Sequence, residues 1–130
     1  MGLYLAVLGL IAYQERSREI TGVWLYQFEG SNFFEGATLQ NVRNRDQSEA
    51  GWLICGQNCS LRDNLDGELD GSGCWKVTAF ELKFLGRRRT GFKGHLGAWS
   101  SEYEIEQIID ARELDWPDCD NPYDWEQNSL

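Results

Sequence analysis

The chain has 130 residues, which suits one domain large enough to bury a core. With 42% apolar residues, only two prolines, and six Trp, six Phe and five Tyr, it is not a disordered chain. A formal charge of −9 argues against a nucleic-acid partner, whose phosphates the summed field would repel; it favours solubility and suits a basic partner.

Residues 1–19 form an apolar N-terminal segment. Leu3 to Tyr13 is almost wholly apolar, too short for the roughly 20 residues that span a bilayer but of signal-peptide length. No Lys or Arg precedes it and no small-x-small cleavage site follows. A secretion or membrane-anchoring segment and a first core element are both open readings.

Residues 20–115 read as a β-barrel domain. In "ITGVWLYQFE" (20–29), Val23 and Leu25 fall on one face and Trp24, Tyr26 and Phe28 on the other. "GSN" reads as a turn and "FFEGATLQNV" as the returning strand; "GWLICGQ" (51–57) is a further short strand. In "CWKVTAFELKFLG" (74–86), Trp75, Val77 and Ala79 take one side and Phe80, Leu82 and Phe84 the other, after a one-residue slip of the kind a β-bulge makes. "SSEYEIEQIIDAREL" (100–114) is ambiguous. As a helix it has a capping box, Ser101 with Glu104, and helically spaced Ile105, Ile108 and Ile109. As a strand it puts Tyr103, Ile105, Ile109 and Ala111 on one face, and it would cover an open sheet edge. The strand is the preferred reading. Residues 116–130 form an acidic C-terminal tail.

The expected fold is therefore all-β and mainly antiparallel, a single-domain barrel or sandwich, OB-like or lipocalin-like, of roughly five to seven strands with at most one short helix. Trp24, Phe28, Trp52, Val77 and Phe84 are the expected core.

The four cysteines, Cys55, Cys59, Cys74 and Cys119, suit disulfide bonding in an oxidising compartment. Cys59 and Cys74 flank the polar loop "SLRDNLDGELDGSG", so a bridge between them would staple its ends. The alternatives are buried thiols and a zinc pair at Cys55-x-x-x-Cys59, which lacks a second close pair. Asp66, Glu68, Asp70 and Gly71 match part of a calcium loop, but Val77 stands where the bidentate Glu belongs, and a solvated turn explains the same letters.

"FLGRRRTGFKGHLGAW" (84–99) concentrates what chemistry there is. Five of the twelve Lys and Arg fall between Lys83 and Lys93, and the only histidine follows at His95. Recurrent glycines imply tight turns or close backbone approach. A strand alternates its side chains, so Arg87, Arg88 and Arg89 cannot all face the core. They could grip an anion, or pair with acidic residues, of which Asp115 to Asp124 are the obvious candidates. Arg87, Arg88, Arg89, Lys93, His95 and Trp99 are the candidate binding residues, in contact with a protein partner or a small anionic ligand. His95 has no Cys or carboxylate at fixed spacing to it that would mark a catalyst.

The run "FLGRRRTGFKGHLGAWSSEYEIEQIIDAREL" resembles the C-terminal half of small bacterial β-barrel domains of uncharacterised function, in which a strand, a Gly-His-x-Gly turn and a closing strand follow one another. "ITGVW" resembles the Gly-x-Trp opening of lipocalin-like and avidin-like barrels. Both likenesses imply a barrel; neither implies an activity.

No nucleophile elbow, P-loop, His-Glu-x-x-His or Gly-x-Gly-x-x-Gly is present. The expected function is a non-catalytic, extracytoplasmic binding module that needs no cofactor and no metal, and that meets a membrane only through its N-terminal segment. An acidic inhibitor of a basic enzyme and a small-molecule-binding barrel, or an enzyme built on one, are the alternatives.

Overall fold

A computed structural model describes residues 15–27, 30–57, 59–61 and 77–116. Strands β1 (Arg18–Gln27), β2 (Gly30–Glu35), β3 (Gly51–Ile54), β4 (Thr78–Lys93) and β5 (Trp99–Leu114) run through them. They close into a barrel in the order β1-β2-β3-β5-β4, with β4 pairing back onto β1. All neighbours are antiparallel except β3 and β5, which are parallel. A closed five-stranded barrel so connected is of the OB type rather than the larger up-and-down lipocalin type.

The alternation of β1 decides where the core lies. Ile20 and Trp24 point inward and meet Phe33, Leu53, Phe80, Leu82, Phe84, Tyr103 and Ile105, so every strand contributes to the interior. Trp24, 1% exposed, stacks on Phe80, and its indole N–H donates to Ser31 Oγ at 2.9 Å; Ser31 in turn donates to the Leu53 carbonyl. The opposite parity, Val23 and Leu25, packs outside the barrel with Phe34, Val77 and Ala79 beneath Ala37, Val42 and Ala50 of the β2–β3 connection. That connection is held by two short 3-10 turns, Val42–Asn44 and Gln47–Glu49.

Several expectations need correction. "GSN" is not a turn: β2 begins at Gly30, in register with Gln27, and ends at Glu35, after which Gly36, with φ 77°, turns the chain away. No slip occurs between Ala79 and Phe80, since the β1–β4 pairing runs unbroken from Tyr26↔Thr78 to Arg18↔Gly86. Alternation alone separates the two sets, and both faces are buried there. Trp52 is only half-buried, because it faces outward against Trp99. Trp24, Val77 and Phe84 are buried as expected, while Phe28 lies outside the described residues.

Residues 99–114 are a strand along their whole length, because pairing with β4 on one side and β3 on the other outweighs helix propensity. Ser101 is buried in the sheet rather than capping a helix. The register shifts come in β5: Lys83 pairs with Asp110 but Phe84 with Ile108, which leaves Ile109 unpaired and 49% exposed. Ile109 thus does not share the inner face; Ile108 packs against the core instead. Such bulges let a long strand bend round a small barrel.

The disulfide also differs. Cys59 bonds Cys55, with Cα atoms 5.2 Å apart, so the expected Cys59–Cys74 bridge does not form and the spacing considered for zinc is that of an oxidised pair. Cys74, Cys119 and the acidic loop 63–71 lie outside the described residues. Trp116, assigned by sequence to the tail, is 6% exposed and packs in the outer cluster with the Arg43 guanidinium 4.2 Å from its ring centre.

Candidate functional site

The three consecutive arginines divide as a strand dictates. Arg87 and Arg89 point outward and pair diagonally across the sheet. Arg87 Nε reaches Glu106 at 3.4 Å; Arg89 Nη1 reaches Glu104 at 2.6 Å and Glu102 at 3.7 Å. Among the described residues their counterions are cross-strand glutamates of β5; of the run from Asp115 to Asp124 that the sequence suggested, 117–124 lie outside the described residues. At this exposure each pair contributes only about 0–1 kcal/mol.

Arg88 takes the other face. Its guanidinium lies 5.9 Å from the ring centre of Tyr103, at one end of the barrel interior. Beside it, Arg18 grips Glu35 with two hydrogen bonds of 2.8 and 3.0 Å, and Tyr103 Oη donates to Glu35 Oε1 at 3.0 Å. Burial alone would raise the Glu35 carboxyl. The hydrogen bonds and charge of Arg18, with help from Tyr103 and Arg88, outweigh burial and hold the carboxyl below its usual range.

Tyr103 is pushed up to about 12, first by burial and then by the neighbouring Glu35 charge, against the opposing pull of Arg88. A raised phenol pKa stabilises the fold fully below the ordinary value of 10.0, and that contribution is lost as pH climbs to about 12. Wild-type stability is thus expected to fall by about 2 kcal/mol more than that of Tyr103→Phe between these limits. Urea unfolding of both proteins at stepped alkaline pH checks it, and parallel curves would remove the phenol as the cause.

Beyond Thr90 the hairpin changes character. Thr90 pairs with Ser101 and Lys93 with Trp99, so Gly91 and Phe92 together oppose Ser100. This local excess turns Phe92 outward, 94% exposed. The turn that follows is the 3-10 stretch His95–Gly97, in which Leu96 has φ 57° and is 91% exposed. A leucine with positive φ is rare and costs on the order of 1 kcal/mol or more.

What holds the turn is the pair Trp52 and Trp99, set edge to face with ring centres 4.6 Å apart. The Trp99 N–H donates to Asn32 Oδ1 at 2.8 Å, which ties β5 across to β2. Gly94 lies against both indoles: a Cβ there would stand 2.8 Å from a ring atom of each, and its φ is 75°. Only glycine lets the backbone come that close.

Trp99 forms the ridge between two open grooves. One, of about 500 Å³, is of mixed character and lined by Asp46, Gln47, Ser48 and Ala50. The other, of about 360 Å³, is mainly apolar and lined by Gly91, Phe92 and Gly97.

Of the residues singled out in the sequence, Lys93, His95 and Trp99 come together at the hairpin tip; Arg87 and Arg89 lie on its outer stem, and Arg88 faces inward. Sequence reasoning missed Phe92 and Leu96. The signal was present, since apolar residues flanked by glycines beyond the end of an alternating strand have no core face to occupy. It also missed Arg18, Glu35 and Tyr103, which are separated along the chain and meet only through barrel closure. Set against known protein families, curated proteins and solved structures, the chain matches none, and the likenesses noted above rest on the residues quoted for them.

Proposed function

We propose that the protein is a non-catalytic, extracytoplasmic binding module whose contact surface is the tip of the β4–β5 hairpin. The observation that carries this reading is the exposure of Phe92, 94%, and Leu96, 91%, on one hairpin whose turn is held by Trp52 and Trp99. Isolated surface apolar residues are ordinary, but two large ones presented together on a rigid, strained turn have a cost that contact with a partner recovers. The fold supports the same surface: OB-type barrels take oligonucleotides and oligosaccharides on the strand 2–3 face and the β4–β5 loop, and here those elements bring Asn32, Trp52 and Trp99 together. The Cys55–Cys59 disulfide supports an oxidising compartment.

A photoreactive phenylalanine analogue tests the surface without knowing the partner. Placed at Phe92 in the producing cell, it is expected to give covalent adducts to protein or lipid that the same group at exposed Gln107 does not give. Equal adducts at both positions, or none at either, would overturn the reading.

A further inference from the structure

We propose that the hairpin tip docks on a lipid bilayer surface, with Phe92 and Leu96 entering the interfacial layer and Lys93 meeting anionic headgroups. The inference rests on the tip being the contact surface and adds what occupies it.

The register supplies the first argument. Arg18, the first residue of β1, pairs with Gly86, so residues 87–93 of β4 run beyond the start of β1 with β5 alone as partner. Among the described residues that edge of β4 is open on its β1 side, and the hairpin it leads to, held against the barrel by Trp52 and Asn32, ends in Phe92 and Leu96.

Chain connectivity supplies the second. The described chain starts at Glu15, whose charge acts on Arg89, partway along that edge. Upstream, residues 1–14 hold no charged side chain, and Leu3 to Tyr13 is apolar. This apolar sequence thus joins the barrel through Glu15, Arg16 and Ser17 at the same end as the apolar tip. A planar apolar phase at that end would take both the tip and the apolar sequence attached there, which two separate protein pockets would do less readily. Eleven apolar residues fall well short of the roughly 20 needed to cross as a helix. Reversible attachment of this kind becomes firm when a second, independent contact is added.

Charge supplies the third. The chain carries −9, yet residues 90–101 include no Asp or Glu, and their ionisable side chains are Lys93 and His95. Asp46 lines the groove beside Trp99, but the loop itself is acid-free and lysine-bearing, so an acidic protein is repelled less from an anionic surface when this loop faces it. A lysine near an anionic leaflet contributes about 1 kcal/mol, and its aliphatic stem lets it reach the headgroups while its neighbours sit deeper.

The test uses the full chain and vesicles of phosphatidylcholine, with or without 30% (approximately) phosphatidylserine. Flotation is expected to recover wild-type protein with both, and more with the anionic vesicles. Phe92→Ser/Leu96→Ser is expected to lower partitioning at least tenfold with its melting temperature unchanged, since both side chains are already in water. Lys93→Glu is expected to lower it about thirtyfold on anionic vesicles, one charge lost and one repulsion gained, and hardly at all on neutral ones.

Wild-type binding that the double substitution leaves intact would assign attachment to the N-terminal sequence alone and overturn the proposal. Self-association through the tip in sedimentation, without vesicle binding, would overturn it in favour of a second copy. Protein adducts at position 92 with no vesicle binding would remove the bilayer and keep the tip as a contact surface. No adducts and no vesicle binding would remove both.

Discussion

Gly86→Ala is expected to cost about 3 kcal/mol or more and to loosen the barrel where β4 passes between β1 and β5. A Cβ at Gly86 would stand 2.2 Å from the Glu104 carbonyl oxygen and 2.7 Å from the Phe84 ring. The ring could turn, but the carbonyl belongs to the paired strand and can retreat only if the β4–β5 ladder parts. Gly86 also pairs with Arg18, so the same displacement disturbs the β1 seam. Gly56→Ala is the matched control: nothing lies within 4 Å of a Cβ there, and it should shift stability by no more than about 0.5 kcal/mol. Urea midpoints of the two variants decide the matter. Equal midpoints would mean that the seam has slack the structure does not show.

Trp24→Ala should be as damaging, at about 3–5 kcal/mol. The indole is among the largest fully buried side chains, touches Phe80 and Tyr26, and fills the interior between β1 and β4. Its removal leaves a cavity that a closed barrel cannot collapse around. Ser31→Ala probes the other half of the arrangement. It strands the buried Trp24 N–H and withdraws a donor from the Leu53 carbonyl, a loss of about 1–3 kcal/mol. Chemical denaturation should rank Trp24→Ala below Ser31→Ala in stability; the reverse order would place the weight of this region on its polar link rather than on packing.

How much of this could be read from the residues depended on how local the cause was. The opposed faces of Val23 and Leu25 against Trp24 follow from a period of two and needed no structure. The strand over 99–114 was decided by neighbours 50 residues away, since the same letters carry a capping box and helical isoleucine spacing. Ile109 was assigned inward because simple alternation cannot foresee a bulge. The arginines were seen to be unable to share a face, yet their partners depended on a register that only the closed barrel fixes. Cys59 was matched with Cys74 across a loop, whereas the end of β3 brings Cys55 to it at a separation of four. In the sequence the charges of this hairpin stand out over Phe92 and Leu96, yet the charges find partners on the next strand while the two apolar side chains stay exposed.

The parallel pairing of β3 with β5 sets the order in which this protein can be completed. β1 and β2 can meet as soon as residue 35 has been synthesised, and β4 can fold onto β5 as a local hairpin. β3, by contrast, waits for residues 102–104 before its second edge is satisfied. Its contacts are distant in sequence, and forming them carries a loop-closure cost that slows the search. During synthesis the emerging chain therefore presents an open strand edge beside apolar side chains until the last strand has left the ribosome, the interval in which a barrel of this kind depends on being shielded from its neighbours.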